Sequence, residues 1–588
     1  MKRFFKIFKL PEFYIAVLLL ACIAFILLMR VTVENVVFHN KNLVEETSLP
    51  ILKQLPENSY FRVELDILNP YAENYDLKVI PDDCAENMVI NGESLDLSKI
   101  NGRCDYSKGF ILHDSILAPY KVGEKTHYSF TLKNHGGNAG LNLFLIQKSP
   151  RIKIANCFAI FFFVLLSAMV ARRLKFGTGL LFIVFIGVLL RTIFFANIPY
   201  TTYSQDVDGH VAYVQYILEN KAIPSVDDCW TCYHPPVYYT TAAPSFFISE
   251  NLDLPGTTGL QVFSLLLSTA TLLFGILFFK TFLTGAPLGI ASLLFALWPL
   301  MILVSPRIGN DQMFYLLHTF CLFCGATYLK EGRGKFLILA VLAAALAIWT
   351  KTSAIVTLGA LFLFVVFGYL NNARKFKPTK SEIVSWGLFL LIFIGLGVQK
   401  LLGDGGLVGN ASGLHSGLIV GNEAFNYLYF DLQSFITHPY TSAWNNEWGR
   451  NFFWNYAFKT SLFGEFEILN TELGRSLATF VSVSFLGLLI CAIRGFWKIK
   501  FQAIHWILFL HTVAFFAALA YLRIKYPYAC SNDFRYIAPV LLSSIPFVGY
   551  GICLEGSSLK WKILGTSIFL VFVTSSVSTA ITPRGAKY

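Results

Sequence analysis

The sequence predicts a polytopic α-helical membrane protein of about thirteen transmembrane helices, carrying an extracytoplasmic β-sandwich near its N-terminus. Three observations predict this. The chain of 588 residues is 55% hydrophobic and only 14% charged, with a mean hydropathy of +0.56; a soluble domain needs roughly 25% charge to cover its surface. Apolar stretches recur along the chain with short basic clusters between them. One stretch, 31–150, departs from that pattern and alternates with period 2.

Taken in order, Met1–Lys9 is basic and Phe13–Met29 is apolar. The residues Leu28-Met29-Arg30-Val31 offer no small-x-small cleavage site, so 1–30 reads as a retained signal anchor with its N-terminus in the cytoplasm. In 31–150, Phe61 to Ile67, Met88 to Ile90 and Tyr128 to Leu132 alternate, separated by the turn signals Asn91-Gly92, Asn101-Gly102 and Gly136-Gly137. About 120 residues suffice for a small core. The expected shape resembles carbohydrate-binding jelly-roll modules, and its outer placement suggests acceptor or glycan binding.

Further spans are expected at about 154–171, 178–195, 258–280, 287–304, 311–329, 335–350, 353–370, 383–401, 476–493, 504–522, 536–554 and 561–580. Threading them alternately puts the basic clusters, such as Arg172-Arg173, Arg374-Lys375 and Lys498 with Lys500, on the cytoplasmic side. The net charge of +11 is therefore a positive-inside signal, not a nucleic-acid footprint. The segment 151–177 holds the second helix and its cytoplasmic turn, and 178–580 forms the main membrane body with outer loops at 196–257 and 402–475. Inverted repeats with broken helices, the mark of many secondary transporters, do not stand out.

The chemistry-bearing residues gather at the outer ends. In Ser204-Gln205-Asp206-Val207-Asp208-Gly209-His210, a helix over 205–220 puts Asp206, His210 and Tyr213 on one face and turns Asp208 away. The plainer alternative for Asp206 is a helix N-cap. Asp311 opens a later span with Arg307 four residues before it, which equally fits a cap with a local ion pair. Lys351, Lys459 and Arg535 are outer basic residues, the less expected kind; each could snorkel, or together they could hold an anion. Lys351 lies in a tight turn and should have a partner. His234 opens a His-Pro-Pro run whose prolines stiffen the return to the membrane. Outside the spans, Cys229 and Cys232 fit a loop disulfide better than a redox, haem or zinc motif, and disulfides are also allowed at Cys84 and Cys104. The Trp444, Trp448, Trp454 and Tyr456 cluster suits sugar stacking or an interfacial belt.

Asp-x-x-x-His-x-x-Tyr after a span, His-Pro-Pro-x-Tyr-Tyr at 234–239, Arg-Ile-Gly-Asn-Asp at the next outer turn and Arg-Tyr-x-x-Pro at 535–539 together resemble the GT-C membrane glycosyltransferases. Within them, the pattern is most similar to the protein O-mannosyltransferases and the aminoarabinose transferases of lipid A. The resemblance covers roughly 178–580, which would then be a GT-C-like catalytic core. It implies inverting sugar transfer from a polyprenyl-phosphate sugar to a glycan, glycolipid or protein acceptor, at the outer face of a bacterial inner membrane. Asp206 and Asp311 would be the essential acids; relatives with Asp-Glu in the first loop leave Asp208 as the rival of Asp206. Lys351, Arg535 and Arg307 would face the donor phosphate, with His210, His234, Tyr213 and Lys459 around the substrates. The residue chemistry agrees. A polyprenyl phosphate leaves without a general acid but wants cations at its developing charge, whereas a hydroxyl acceptor wants a general base, here Asp206, partly desolvated at the membrane lip. The two acids could share a divalent cation, although no recognisable ligand cluster accompanies them. Competing expectations are an O-antigen ligase or polymerase and a lipid-linked sugar flippase; His318 and His511 are the mid-span groups a transporter would use.

Overall fold

A computed structural model of the chain describes residues 11–581 apart from 42, 48, 50, 83, 98–99, 106–108, 122, 137, 202, 230, 253, 372–378, 381, 389, 392–393, 395–415, 445–448, 467–471 and 554–558. It divides into two compact units, one ending at Leu166 and one beginning at Ser167. The basic tract Met1–Lys9, the cluster Arg374-Lys375 and Trp448 lie outside the described residues.

The first unit begins with α1 (Pro11–Leu28), which buries none of its residues within the protein, as suits a helix whose solvent is lipid. Ten strands follow: β1 (Thr32–Asn40), β2 (Leu43–Glu46), β3 (Ile51–Gln54), β4 (Tyr60–Leu68), β5 (Tyr75–Pro81), β6 (Cys84–Ile90), β7 (Glu93–Leu95), β8 (Phe110–Leu112), β9 (Lys125–Lys133) and β10 (Asn138–Gln147). They form a six-stranded sheet of order β2-β1-β4-β9-β6-β7 and a four-stranded sheet of order β3-β10-β5-β8. Along β4 the alternation does what period 2 requires: Phe61, Val63, Leu65 and Ile67 point into the core while Tyr60 and Arg62 face out. Val63 pairs with Phe130 of β9, and the same apolar cluster takes in Leu77 and Val79 of β5 from the other sheet. Two sheets sharing one core make a sandwich. The hydroxyls of Tyr75 and Tyr128 meet at 2.8 Å between them, so neither buried phenol lacks a partner. Asn91-Gly92 closes the two-residue hairpin between β6 and β7. Cys84 and Cys104 are disulfide-bonded, with 4.0 Å between Cα atoms.

The helix α2 (Pro150–Arg173) crosses the boundary between the units. The second unit is helical: α3 (Thr178–Asn197), α4 (Val207–Asn220), α5 (Val237–Glu250), α6 (Gly256–Phe282), α7 (Gly285–Leu297), α8 (Asp311–Glu331), α9 (Gly334–Ile348), α10 (Ile355–Asn371), α11 (Phe453–Phe463), α12 (Glu472–Lys498), α13 (Ala503–Lys525), α14 (Leu541–Cys553) and α15 (Leu559–Ile581). Among the described residues of the whole chain, eight helices are long and apolar enough to cross a membrane, and three shorter apolar helical stretches, Gly285–Leu297, Gly334–Ile348 and Trp561–Ser575 within α15, fall under 18 residues. This does not reach the expected thirteen. The helix expected at 311–329 is present as α8, but its Asp, Gln and His content keeps it out of the apolar class, and it buries most of its surface against α6, α9 and α10. The span expected at 383–401 falls largely outside the described residues.

Two packing features explain how so apolar a body is held in register. Helices α12 and α14 touch backbone to backbone, because a Cβ on Gly495 would sit 2.0 Å from the Phe547 carbonyl and one on Gly551 would sit 1.8 Å from that of Cys491. Near the middle of the unit, α7 stops at Leu297 and a short helix restarts at Pro299. The Ala296 carbonyl at that break accepts from Arg191 Nη1 at 2.7 Å, so a buried arginine satisfies an end that the helix cannot.

Candidate active site

The site is assembled from five short segments between helices of the second unit. The first is the run into α4. Asp206 stands at the N-cap position with φ 54° and ψ 23°, in the left-handed region, and its side chain makes no cap hydrogen bond. The N-cap alternative therefore describes its position and not its side-chain role. A non-glycine residue held there costs free energy that its surroundings must supply. Those surroundings begin one residue earlier: the Gln205 carboxamide oxygen accepts from Arg307 Nη2 at 2.6 Å, and its nitrogen donates to Glu465.

Asp206 is exposed, which corrects the expectation of a partly desolvated carboxylate. The helix starts at Val207, two residues later than expected, so Asp206 precedes it and is not part of its buried face. His210 and Tyr213 do occupy that buried face. His210 Nδ1 meets the Tyr239 hydroxyl at 2.8 Å, and Tyr213 stacks on Tyr239 with centroids 3.7 Å apart. The His234 ring lies 5.7 Å from that of His210 and nearly parallel to it, and the Tyr213 hydroxyl donates to the His234 carbonyl at 3.3 Å. Cys229 and Cys232 are disulfide-bonded just before it. Asp208 is also exposed and acts electrostatically on Tyr200.

The turn 305–311 closes against this face. Gly309 has φ +152°, and a Cβ there would lie 3.2 Å from His210 Nε2. Its N–H donates to the Tyr238 hydroxyl at 3.1 Å. The glycine of Arg-Ile-Gly-Asn-Asp is thus what lets the second turn approach the first. Asp311 follows, buried, ion-paired to Lys351 and with Arg535 Nη1 at 3.5 Å from its Oδ2. The local Arg307–Asp311 ion pair is not formed; Arg307 instead reaches Gln205. Arg535 is held further by Asp533 at 2.8 Å. Its carbonyl accepts from the Tyr315 hydroxyl. The ammonium of Lys351 and the guanidinium of Arg535 both lie over the Tyr536 ring, at 4.8 and 4.7 Å.

Electrostatically, both imidazoles are kept neutral. Burial lowers His210 to about 3, and the nearby Arg535, Lys351 and Arg307 charges add to it against Asp311. Burial also takes His234 to about 3, aided by His210 and Lys351 and opposed by both Asp311 and Asp206. Both carboxylates therefore act on His234. Burial lowers Lys351 too, with Asp311 opposing. Glu465 runs the other way: burial, with Asp533 adding, pushes it up to about 8, and it accepts from the Tyr456 hydroxyl.

Of the residues singled out in the sequence, Asp206, His210, Tyr213, His234, Arg307, Asp311, Lys351 and Arg535 come together. Lys459 does not; it is buried on α11, acting electrostatically with Asp431 and His438. Gln205, Glu465, Asp533 and Tyr536 were missed as site residues. Asp533 had a signal, lying two residues before the arginine of the Arg-Tyr-x-x-Pro run; Glu465 had none. Among the described residues no group of three His, Cys, Asp or Glu side chains is gathered as a metal would need, and Asp311 already has its charge compensated by Lys351 and Arg535. The residues present do not fit a divalent ion shared by the two acids.

No family model and no curated protein matches the chain. Solved structures do show loose similarity. An arabinofuranosyltransferase, AftD, from Mycobacteria overlays at 13% identity and TM-score 0.39, over 69% of this chain and 28% of that one. The Archaeoglobus fulgidus oligosaccharyltransferase overlays at 12% identity and TM-score 0.34, over 68% of this chain and 54% of that one. The chain thus spans about a quarter and about half of those two proteins' lengths.

Proposed function

We propose that the chain is an inverting glycosyltransferase that moves a sugar from a polyprenyl-phosphate donor to a hydroxyl acceptor at the outer face of a membrane. The observation that carries this reading is the pair of unlike carboxylates about His234: Asp206 is open and Asp311 is locked to two cations. In the proposed step the acceptor hydroxyl loses its proton to Asp206 as its oxygen bonds to the sugar's anomeric carbon. The bond from that carbon to the phosphate oxygen breaks, and its electron pair stays on the polyprenyl phosphate. Lys351 and Arg535, carried on the Tyr536 ring, meet the growing phosphate charge, and Asp311 keeps both in place. Neutral His210 and His234 wall the site without repelling those cations. The Gln205 clamp holds Asp206 in its left-handed conformation, so the base is aimed before substrate arrives.

The test is Asp206→Asn in purified protein supplied with a panel of polyprenyl-phosphate sugars. Loss of the base should lower kcat by 10²–10⁴-fold with membrane insertion unchanged. Undiminished turnover would remove Asp206 from this role, and consumption of no donor by the wild type would end the reading. A flippase is the second reading, favoured by one observation: His318 and His511, deep in α8 and α13, meet Nε2 to Nε2 at 2.9 Å. Transport of labelled donor across vesicles by Asp206→Asn protein would support it.

A further inference from the structure

Arg450 and Arg523 are both fully buried, at 2% and 0% exposure. Arg523 closes α13, and Arg450 lies in the outer turn before α11. Arg450 acts electrostatically on Arg523, both have Tyr456 and Cys530 as neighbours, and those two residues pack in one cluster with Ala443 and Tyr528. Among the described residues their hydrogen bonds go only to carbonyls: Arg450 to those of Ala443 and Gly417 (the latter at 2.8 Å), Arg523 to that of Tyr528 at a long 3.5 Å. Among the described residues neither forms an ion pair. Two guanidinium charges out of water, near each other and with no carboxylate partner among the described residues, are a costly arrangement.

The unpartnered atoms are specific. Among the described residues Arg523 leaves Nε and Nη2 without an acceptor, the two N–H groups of one side of the fork, which lie parallel and match two oxygens of a planar or tetrahedral oxyanion. Arg450 leaves Nε. Asn532, fully buried in the same short turn as Cys530, has neither end of its carboxamide satisfied among the described residues. Buried polar groups are nearly always paired, and leaving one unpaired costs about 1–3 kcal/mol.

From these groups we infer that Arg450 and Arg523, with Asn532, form a phosphate-binding site distinct from the Lys351–Arg535 cations. Three guanidinium N–H groups and an amide N–H suit an oxyanion with three free oxygens better than a carboxylate with two. The Asn532 oxygen adds an acceptor for a hydroxyl on the same group. The phosphate is either free or the head of a phosphorylated lipid, and the two sources share this chemistry. The inference stands apart from the transfer reaction, because binding requires no turnover.

The full-length protein in detergent is titrated with inorganic phosphate and separately with geranyl phosphate, and dissociation constants are read by calorimetry. Wild type should bind at least one probe, and Arg450→Gln with Arg523→Gln should weaken it by at least about tenfold. Binding of inorganic phosphate shows that the free ion suffices; binding of geranyl phosphate alone assigns a lipid phosphate. Arg523→Lys keeps the charge but loses the fork, and should weaken binding with the melting temperature in phosphate-free buffer unchanged. Binding of neither probe overturns the inference. So does equal affinity in the double-Gln protein, which would place the probe at the Lys351–Arg535 cations.

Discussion

Replacing Asp311 by Asn removes one negative charge from a cluster that holds two cations out of water. The side chains of Asp311, Lys351 and Arg535 are 13%, 8% and 11% exposed, so solvent does little to screen the loss. Arg535 retains Asp533 at 2.8 Å, whereas among the described residues Lys351 has no other ion-pair partner. The cost therefore falls on Lys351, and stranding one member of a buried pair costs about 3–5 kcal/mol. At roughly 1.4 kcal/mol per tenfold, that shifts the folding equilibrium by more than two orders of magnitude. Asp311→Asn should thus melt well below wild type in detergent, besides losing turnover. Adding Lys351→Met removes the stranded charge, so the double variant should recover most of the lost stability and none of the activity. Thermal melts of the four proteins form a double-mutant cycle. Wild-type melting by Asp311→Asn, or a double variant as unstable as the two singles summed, would refute a pair held together by charge.

Gly309→Ala puts a Cβ 3.2 Å from His210 Nε2 at a φ of +152°. It should cost about 1–3 kcal/mol and depress kcat more than KM, which a melt and a rate measurement check together. Glu465 holds its proton to about 8 in the folded chain against an ordinary 4.5. Its contribution to stability is therefore full below about pH 4.5, falls as the pH rises and is gone above about 8. Glu465→Gln should flatten the melting temperature across that window; an unchanged slope would assign it to another group. Reducing the Cys84–Cys104 disulfide, which closes a separation of 20 residues, should destabilise the β-sandwich by about 3 kcal/mol, seen as earlier protease cleavage within 31–150.

What was legible in the sequence is what local pattern controls. Period 2 in Phe61–Ile67 placed β4 and its inward face, because a strand with one buried side has no other register. Long apolar runs placed the helices, since backbone polar groups in hydrocarbon must pair within their own segment. Basic residues at helix ends expected on the outer side marked Lys351 and Arg535, as positive-inside bias makes them unexpected there. The count of spans was less secure, because α8 is polar enough to fail a hydropathy test and yet lies buried among other helices. Only the tertiary structure decided which charges meet. Asp311 passed over Arg307, four residues away, for Lys351 and Arg535, 40 and 224 positions along the chain, and Glu465 reached Gln205 across 260. Periodicity acts within one element, whereas ion pairs and hydrogen bonds between loops depend on how separate helices pack. That is why Asp206 could be named from its own neighbourhood, but the clamp that holds it could not.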